Sequence, residues 1–386
     1  MKNKPIFFII GGEQSADNHG AALMQAMQKL NPRVKFIGIG GKNMIASGLE
    51  SLENINKLAI MGFAEIIKHL YFFWDLTNRI LDVINTTKPD QIILIDYPGF
   101  NLRLAKKIKK KFNIPITYYI SPQIWAWKEN RIKIVQKYID QMLVIFPFEK
   151  KWYKERGVQA QFVGHPIFDE WSSNSRVDLC DVLKLDSEKP IITLYPGSRK
   201  QEFNRHLILF LQVAEKIKNK NKEAQFILGL APELEVSTFT IPNWVKVENK
   251  YPQKALECAD FSLVASGSAT LEAAIFGTPM VIVYKMSSLS WILSKLLVKT
   301  KYAGMVNIIA GKKIVPEYLQ KKATIKSISK ECLNIINNKD IYKKMKFFLS
   351  LIFLLIGINS YAHQPILNQQ NHITFDDPYL IEEPEV

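Results

Sequence analysis

Cysteine is scarce in this chain: Cys180, Cys258 and Cys332 are the only three in 386 residues, and none forms a C-x-x-C pair. That excludes a disulfide framework and a zinc ribbon as the basis of the fold, and it fits a reducing compartment. A Walker A loop is missing as well, since no Gly-Lys is followed by Ser or Thr. No D-x-D triplet occurs, so no bound divalent metal is expected. Gly38-Ile-Gly-Gly41 follows a strand-like run but lacks the third glycine of a dinucleotide fingerprint, and it reads as a tight turn. Acidic residues are few: 36 stand against 51 Lys and Arg, giving a formal charge of +15. The surplus favours an anionic partner, whether nucleic acid, a phosphorylated substrate or an acidic membrane surface. Met1 to Pro5 leads directly into an apolar run, so no export signal is expected there.

What is present is apolar. Hydrophobic residues make up 47% of the chain and charged residues 23%, enough for packed cores and against disorder. The length suits two domains. One stretch organises the reading. Leu263 to Ala265 is a strand, Ser266-Gly-Ser268 a bend, Ala269 to Phe276 a helix, and Met280 to Tyr284 a second strand. Gly277 stops the helix, because glycine tolerates the left-handed conformation just past a helix end, and Pro279 forbids its return. Backbone amides and the positive end of the helix dipole meet at the bend, where an anion can bind without a side-chain charge. Glu272, in the first turn, is within reach of a sugar hydroxyl.

The same grammar recurs along the chain. Ile6 to Ile10 is a strand that ends in Gly11-Gly12, with a helix expected from about His19 to Leu30. The spacing of Ile66, Ile67, Leu70, Phe73 and Trp74 is helical and reads as core or as an exposed apolar patch. Gln91 to Ile95 predicts a strand that delivers Asp96 to its carboxyl end, where ligands of open α/β sheets bind; capping the next helix is the other role open to it. Leu102 to Lys111 is a basic helix. Trp125 and Trp127 follow a strand and either pack or line a cleft. The polar run 169–189 is the expected linker between a domain at 1–168 and one at 190–341. In the second domain, Arg199 follows the strand Pro190 to Tyr195 as a phosphate clamp or a surface arginine. Trp291 to Lys301 is an apolar helix with interspersed lysines. Two domains with functional-looking turns at strand ends imply a cleft between them.

Gly12-Glu-Gln-Ser-Ala-Asp17, Asp96-Tyr-Pro-Gly-Phe-Asn101, Ser121-Pro-Gln-Ile-Trp-Ala-Trp127, Phe162-Val-Gly-His-Pro166, Pro196-Gly-Ser-Arg199 and Ala265 to Glu272 together resemble the lipid-A-disaccharide synthase family. Val298-Lys-Thr300 and Val306 to Gly311 fit too, so the resemblance runs from about residue 5 to 338. It implies an α/β fold of the GT-B type, two Rossmann-like βαβ domains facing a central cleft. It also implies an inverting glycosyltransferase without a cofactor, joining UDP-2,3-diacylglucosamine to 2,3-diacylglucosamine 1-phosphate (lipid X). The products are UDP and the β-1′,6 disaccharide precursor of lipid A. On this reading Asp96 is the catalytic base. Gly197, Ser198, Arg199, Ser266, Gly267, Ser268, Ala269, Glu272 and Asn307 serve the UDP-sugar. Ser15, Asp17, Asn101 and Trp125 stand on the acceptor side. The implied setting is the cytoplasmic face of a Gram-negative inner membrane, an anionic surface on which the protein rests peripherally; no nucleic acid is involved.

Two departures from the family stand out. Ala16 occupies a place where the family usually has glycine, and a positive φ there would strain alanine. From about Tyr342 to Val386 the chain reads as a basic, then apolar, then small-residue segment laid out like a signal peptide, followed by an acidic tail. A replaced family C-terminus, a buried helix or a membrane anchor all fit that text. The competing functions are another UDP-N-acetylglucosamine-using GT-B enzyme, an inactive relative with an altered C-terminus, and a basic nucleic-acid-binding protein, for which no recognised binding motif is present.

Overall fold

The structure, a computed structural model, describes residues 4–55, 58, 66–170, 176–231, 234, 239–357, 365–367 and 373–375. The chain forms two compact units, residues 1–168 with 356–386 and residues 169–355.

The first unit is built on seven strands: β1 (Ile6–Gly11), β2 (Lys35–Gly40), β3 (Leu49–Asn54), β4 (Gln91–Ile95), β5 (Ile116–Tyr119), β6 (Gln141–Val144) and β7 (Ala160–Phe162). They pair in parallel in the order β3-β2-β1-β4-β5-β6-β7. The central strands are continuous apolar runs because helices cover both faces of such a sheet. Phe7 to Ile10 and Ile92 to Ile95 have no exposed surface. The order reverses between β1 and β4, which makes the carboxyl ends of those two strands the natural ligand position.

The second unit repeats the plan with β8 (Ile191–Tyr195), β9 (Gln225–Gly229), β10 (Val245–Glu248), β11 (Phe261–Ala265), β12 (Met280–Tyr284) and β13 (Glu317–Leu319). All pairings are again parallel, in the order β10-β9-β8-β11-β12-β13. Here the reversal lies between β8 and β11.

Several elements differ from the sequence-based expectation. The first helix runs Gln14–Leu30, so the turn motif is its opening turn; Asp17 N–H already donates to Glu13 O at 2.9 Å. Ala16 is therefore helical and buried at 1% exposure, and the expected strain does not arise. Gly38 is not a turn residue but lies within β2, beside a register shift against β3. A Cβ there would sit 1.9 Å from the Ile9 carbonyl oxygen, so close approach of β1 demands glycine. The expected linker contains a helix, Arg176–Leu183, whose Leu179 and Cys180 pack with Ile191, Ile227, Ala255 and Cys258. Helices also span Pro98–Lys111 and Ser288–Leu297, each beginning earlier than the apolar pattern indicated.

Helix Ile66–Thr87 buries Leu76, Ile80, Leu81 and Ile84 at helical spacing. Phe73 packs against that core, whereas Tyr71 and Trp74 are exposed. Met61 to Glu65 and the side chains of Ile66, Ile67 and Leu70 lie outside the described residues. The basic and apolar parts of the signal-like segment lie in helix Lys339–Gly357, which buries Met345, Leu349, Ile352 and Ile356 along one stripe; its small-residue end, 358–364, lies outside the described residues. No described helix is long and apolar enough to cross a membrane. The acidic end, 376–386, lies outside the described residues.

Candidate active site

Two strand-end turns flank the reversal in the first unit. After β1 the chain turns at Gly11-Gly12, and after β4 at Asp96-Tyr97. A Cβ on Gly12 would stand 2.5 Å from the Tyr97 ring, so the two turns meet only because position 12 has no side chain. Asp96 and Tyr97 are both left-handed, with φ of 43° and 47°. Ile120, after β5, and Lys128 are left-handed too, at 62° and 56°. A non-glycine residue in that region costs about 1–3 kcal/mol, and such residues gather where a site over-determines the backbone. Four of the seven among the described residues lie in the stretch 96–128, three of them directly after β4 or β5.

The surroundings hold Asp96 in place. Its carbonyl accepts from Asn101 Nδ2 at 2.8 Å and from the Tyr118 hydroxyl at 2.5 Å, while its N–H donates to Tyr119 O at 3.1 Å. Asn101 also donates to Ile95 O, and its Oδ1 is buried with no hydrogen-bond partner. Burial raises the Tyr118 phenol well above its ordinary range, and the Asp96 charge adds to this, so Tyr118 stays a donor. Asp96 itself is half-buried, with its side chain at the strand end.

Three of the residues expected on the acceptor side, Asp17, Asn101 and Trp125, are buried and engaged within the protein. Asp17 is fully buried: Oδ1 accepts from the amides of Gly41 (2.7 Å) and Met44 (3.0 Å), and Oδ2 from Asn43 (3.0 Å). Its carboxylate caps helix Lys42–Ala46 and has no surface to offer a substrate. Asn101, also fully buried, holds the Asp96 carbonyl through its Nδ2. Trp125 is 8% exposed and donates Nε1–H to Glu149 at 2.9 Å; Trp127, not Trp125, is the exposed indole. Ser15 is exposed.

In the second unit the reversal is flanked by Pro196-Gly-Ser-Arg199 after β8 and Ser266-Gly-Ser-Ala269 after β11. Gly197 (φ 116°) and Gly267 (φ 150°, ψ −157°) adopt conformations that side chains rarely allow. Helix Ser268–Ile275 then begins, and its first amides have no intrahelical acceptor. It ends as the sequence indicates: Gly277 is left-handed, its N–H donates to Ala274 O, and Thr278 N–H donates to Ala273 O. Ser198, Gly267 and Ser268 are exposed, Glu272 is half-buried, and Ala269 is buried. The Ser266 hydroxyl donates to Ala303 O at 2.7 Å. The Arg199 side chain is 74% exposed, 3.8 Å from Glu202, a weak pairing from which it can turn to a ligand.

Asn307 does not join this group. It is fully buried and makes four bonds, donating to Val315 O and Glu317 Oε1 and accepting from the amides of Ile314 and Val315. That exhausts its capacity on its own loop.

Two residues absent from the sequence reading are important. His206 bonds through Nδ1 to Pro196 O at 3.0 Å, while its Nε2 accepts from Lys285 N at 2.8 Å. It therefore ties the turn after β8 to the end of β12 as a neutral imidazole protonated on Nδ1, and burial lowers its pKa. No local pattern announces a link spanning 79 residues. Glu149 accepts from Ser121, Trp125 and Phe146 N. Its position at the third residue of a helix that opens with Pro147 was a readable capping signal. Cavities of about 600 Å³ (Ile208, Phe239, Trp244) and about 420 Å³ (Pro190, Phe261, Tyr342) lie elsewhere in the second unit.

Comparison with known proteins gives this arrangement a context. The family described as "Lipid-A-disaccharide synthetase" matches residues 6–365, a span that includes the apolar helix Lys339–Gly357. A lipid-A-disaccharide synthase of Coxiella burnetii (strain Dugway 5J108-111) is 39% identical over 342 residues, covering 88% of this chain and 90% of the relative. One from Syntrophus aciditrophicus is 36% identical, covering 94% and 96%. Among solved structures, a UDP-GlcNAc 2-epimerase from Neisseria meningitidis bound to UDP-GlcNAc superposes with a TM-score of 0.59 at 11% identity, covering 92% and 97%. The calicheamicin glycosyltransferase CalG4 superposes at 0.58 with 14% identity, covering 94% and 97%. These two likenesses concern the fold, which is of the GT-B kind.

Proposed function

The chain belongs to the lipid-A-disaccharide synthetase family, a glycosyltransferase family of lipid A biosynthesis, and from that premise we propose its substrates and chemistry. The donor is UDP-2,3-diacylglucosamine and the acceptor is 2,3-diacylglucosamine 1-phosphate. The acceptor 6-hydroxyl oxygen attacks the anomeric carbon from the face opposite UDP, the bond to the UDP oxygen breaks, and the product is the β-1′,6 disaccharide. Asp96 takes the hydroxyl proton in that single displacement. The observation that carries this role is the fixed, left-handed Asp96 at the reversal of the first sheet, its carbonyl gripped by Asn101 and Tyr118.

The departing UDP gains negative charge. Arg199 and the first amides of helix Ser268–Ile275 meet it, and Glu272 holds the ribose. No metal enters this scheme. The protein rests on an anionic membrane surface, as diacylated substrates require, through exposed apolar side chains ringed by lysine.

Purified protein incubated with both substrates is expected to form disaccharide 1-phosphate, detected by mass spectrometry, and Asp96→Ala is expected to reduce turnover at least 100-fold. Undiminished turnover in Asp96→Ala removes it as base. Epimerisation of unacylated UDP-N-acetylglucosamine without disaccharide overturns the reaction itself.

A further inference from the structure

Arg103, Lys128 and Arg131 are cations without counter-charges. None forms an ion pair with a carboxylate among the described residues, although cations nearby do: Arg156 with Glu129 at 2.8 Å and Lys109 with Asp140 at 2.6 Å. Glu129 is the telling case. It sits in sequence between Lys128 and Arg131 yet pairs with Arg156 instead.

The three groups are nonetheless held together. Arg103 donates Nε–H to Gly99 O at 2.7 Å, which ties its guanidinium to the first turn of the helix that follows Asp96. Lys128 Nζ lies 4.3 Å from the Trp127 ring centroid and Arg131 Cζ 5.8 Å from the same centroid. Lys128 is one of the strained left-handed residues, and its carbonyl accepts from the Arg131 amide at 3.0 Å. Burial first, then Arg131 and Arg103, lowers the Lys128 pKa; burial, and then Arg103 against the opposing pull of Tyr118, lowers that of Arg131. Arg131 also acts on the Tyr118 phenol, which donates to Asp96 O. The cluster thus borders the proposed base.

Like charges gathered at some cost, on a strained backbone and with the neighbouring Glu129 carboxylate directed to Arg156, form a receptor for a multivalent anion. Guanidinium forks match phosphate oxygens, and a partly exposed indole supplies a wall. The reaction proposed above brings one such anion to this unit, because the acceptor carries its phosphate and its nucleophilic hydroxyl on a single sugar ring. We propose that Arg103, Lys128 and Arg131 bind the 1-phosphate of the acceptor and so set the register in which its 6-hydroxyl meets Asp96. This inference rests on the proposed function.

The test compares the phosphorylated acceptor with its dephosphorylated counterpart in the full-length chain. Arg131→Gln, Arg103→Gln and Lys128→Gln are each expected to raise KM for the phosphorylated acceptor about 10- to 100-fold with the donor KM unchanged. Their turnover of the dephosphorylated acceptor should match the native chain, and Arg131→Lys should recover part of the loss. An equal loss with both acceptors, or a raised donor KM, overturns the proposal, the latter by assigning the cluster to the UDP diphosphate. If the native chain makes no disaccharide from either acceptor, the reaction reading fails by itself and calorimetry of the phosphorylated acceptor decides the site. Binding kept in Asp96→Ala and lost in Arg131→Gln upholds it; equal affinity in native protein and Arg131→Gln overturns it.

Discussion

Glu149 and the histidines His19 and His165 act on the first unit with opposite signs as pH changes. Burial pushes Glu149 up to about 7, against the pull of Ser121, Trp125 and the Phe146 amide. Between its ordinary 4.5 and about 7, the folded chain keeps a proton that the unfolded chain has released, so this group's contribution to stability falls as pH rises. Burial lowers His19 to about 4; burial and the neighbouring His19 lower His165 to about 3. Below 6.5 the unfolded chain takes up protons that the folded chain refuses, and stability is lost on acidification. Glu149→Gln removes the compensating term. Its thermal stability should fall more steeply than that of the native chain from pH 6.5 to 4.5, by up to ~1.4 kcal/mol per pH unit. Parallel profiles from melts across that range would refute the assignment. His206→Ala should cost about 2–3 kcal/mol in urea denaturation, since it strands the Lys285 amide and frees Pro196 O. It should also raise the donor KM as the turn bearing Arg199 loosens; an unchanged KM would confine His206 to stability. The sequence exposed Asp96 because a lone carboxylate after four apolar residues marks a strand end. It could not show that Asn307, Asp17 and Trp125 are already committed, because their partners are backbone groups or a carboxylate brought in by folding.

At the scale of elements, strand-end turns were the most legible feature. Glycine, proline and abrupt changes of hydropathy are local signals, and helix Ser268–Ile275 with its Gly277 stop follows them closely. Helix beginnings were less legible. Gln14 and Pro98 start helices whose first turns are polar or aromatic, so apolar periodicity appears only later. Gly38 misled for a related reason: glycine is required there by its positive φ and by the close approach of the neighbouring strand, inside β2 and not in a turn. Helix Ser288–Leu297 and the residue after it leave Ile292, Leu296, Leu297 and Val298 exposed beside Lys295 and Lys299. An apolar stripe edged with lysine suits the boundary of an anionic bilayer. Co-sedimentation with phosphatidylglycerol-containing vesicles should exceed that with phosphatidylcholine vesicles and fall about tenfold in Leu296→Glu. Equal sedimentation of native and variant chains would remove this helix from the proposed membrane contact.

For the whole molecule, two parallel sheets of the same design place both candidate turns at strand-order reversals, a topology that the alternation of strand and helix signals made readable. The grouping of residues 356–386 with residues 1–168 was beyond its reach, because nothing local marks which unit a terminal segment joins. That grouping matters while the chain is being made. The first unit is discontinuous in sequence, and its last piece leaves the ribosome only after the whole intervening stretch 169–355. At synthesis rates of about 5–20 residues per second, this is a delay of roughly 10–40 s. Through that interval all seven strands of the amino-terminal sheet, and the apolar residues that form its core, are already in the finished part of the chain, so that sheet can pair and bury its faces before the second unit is complete.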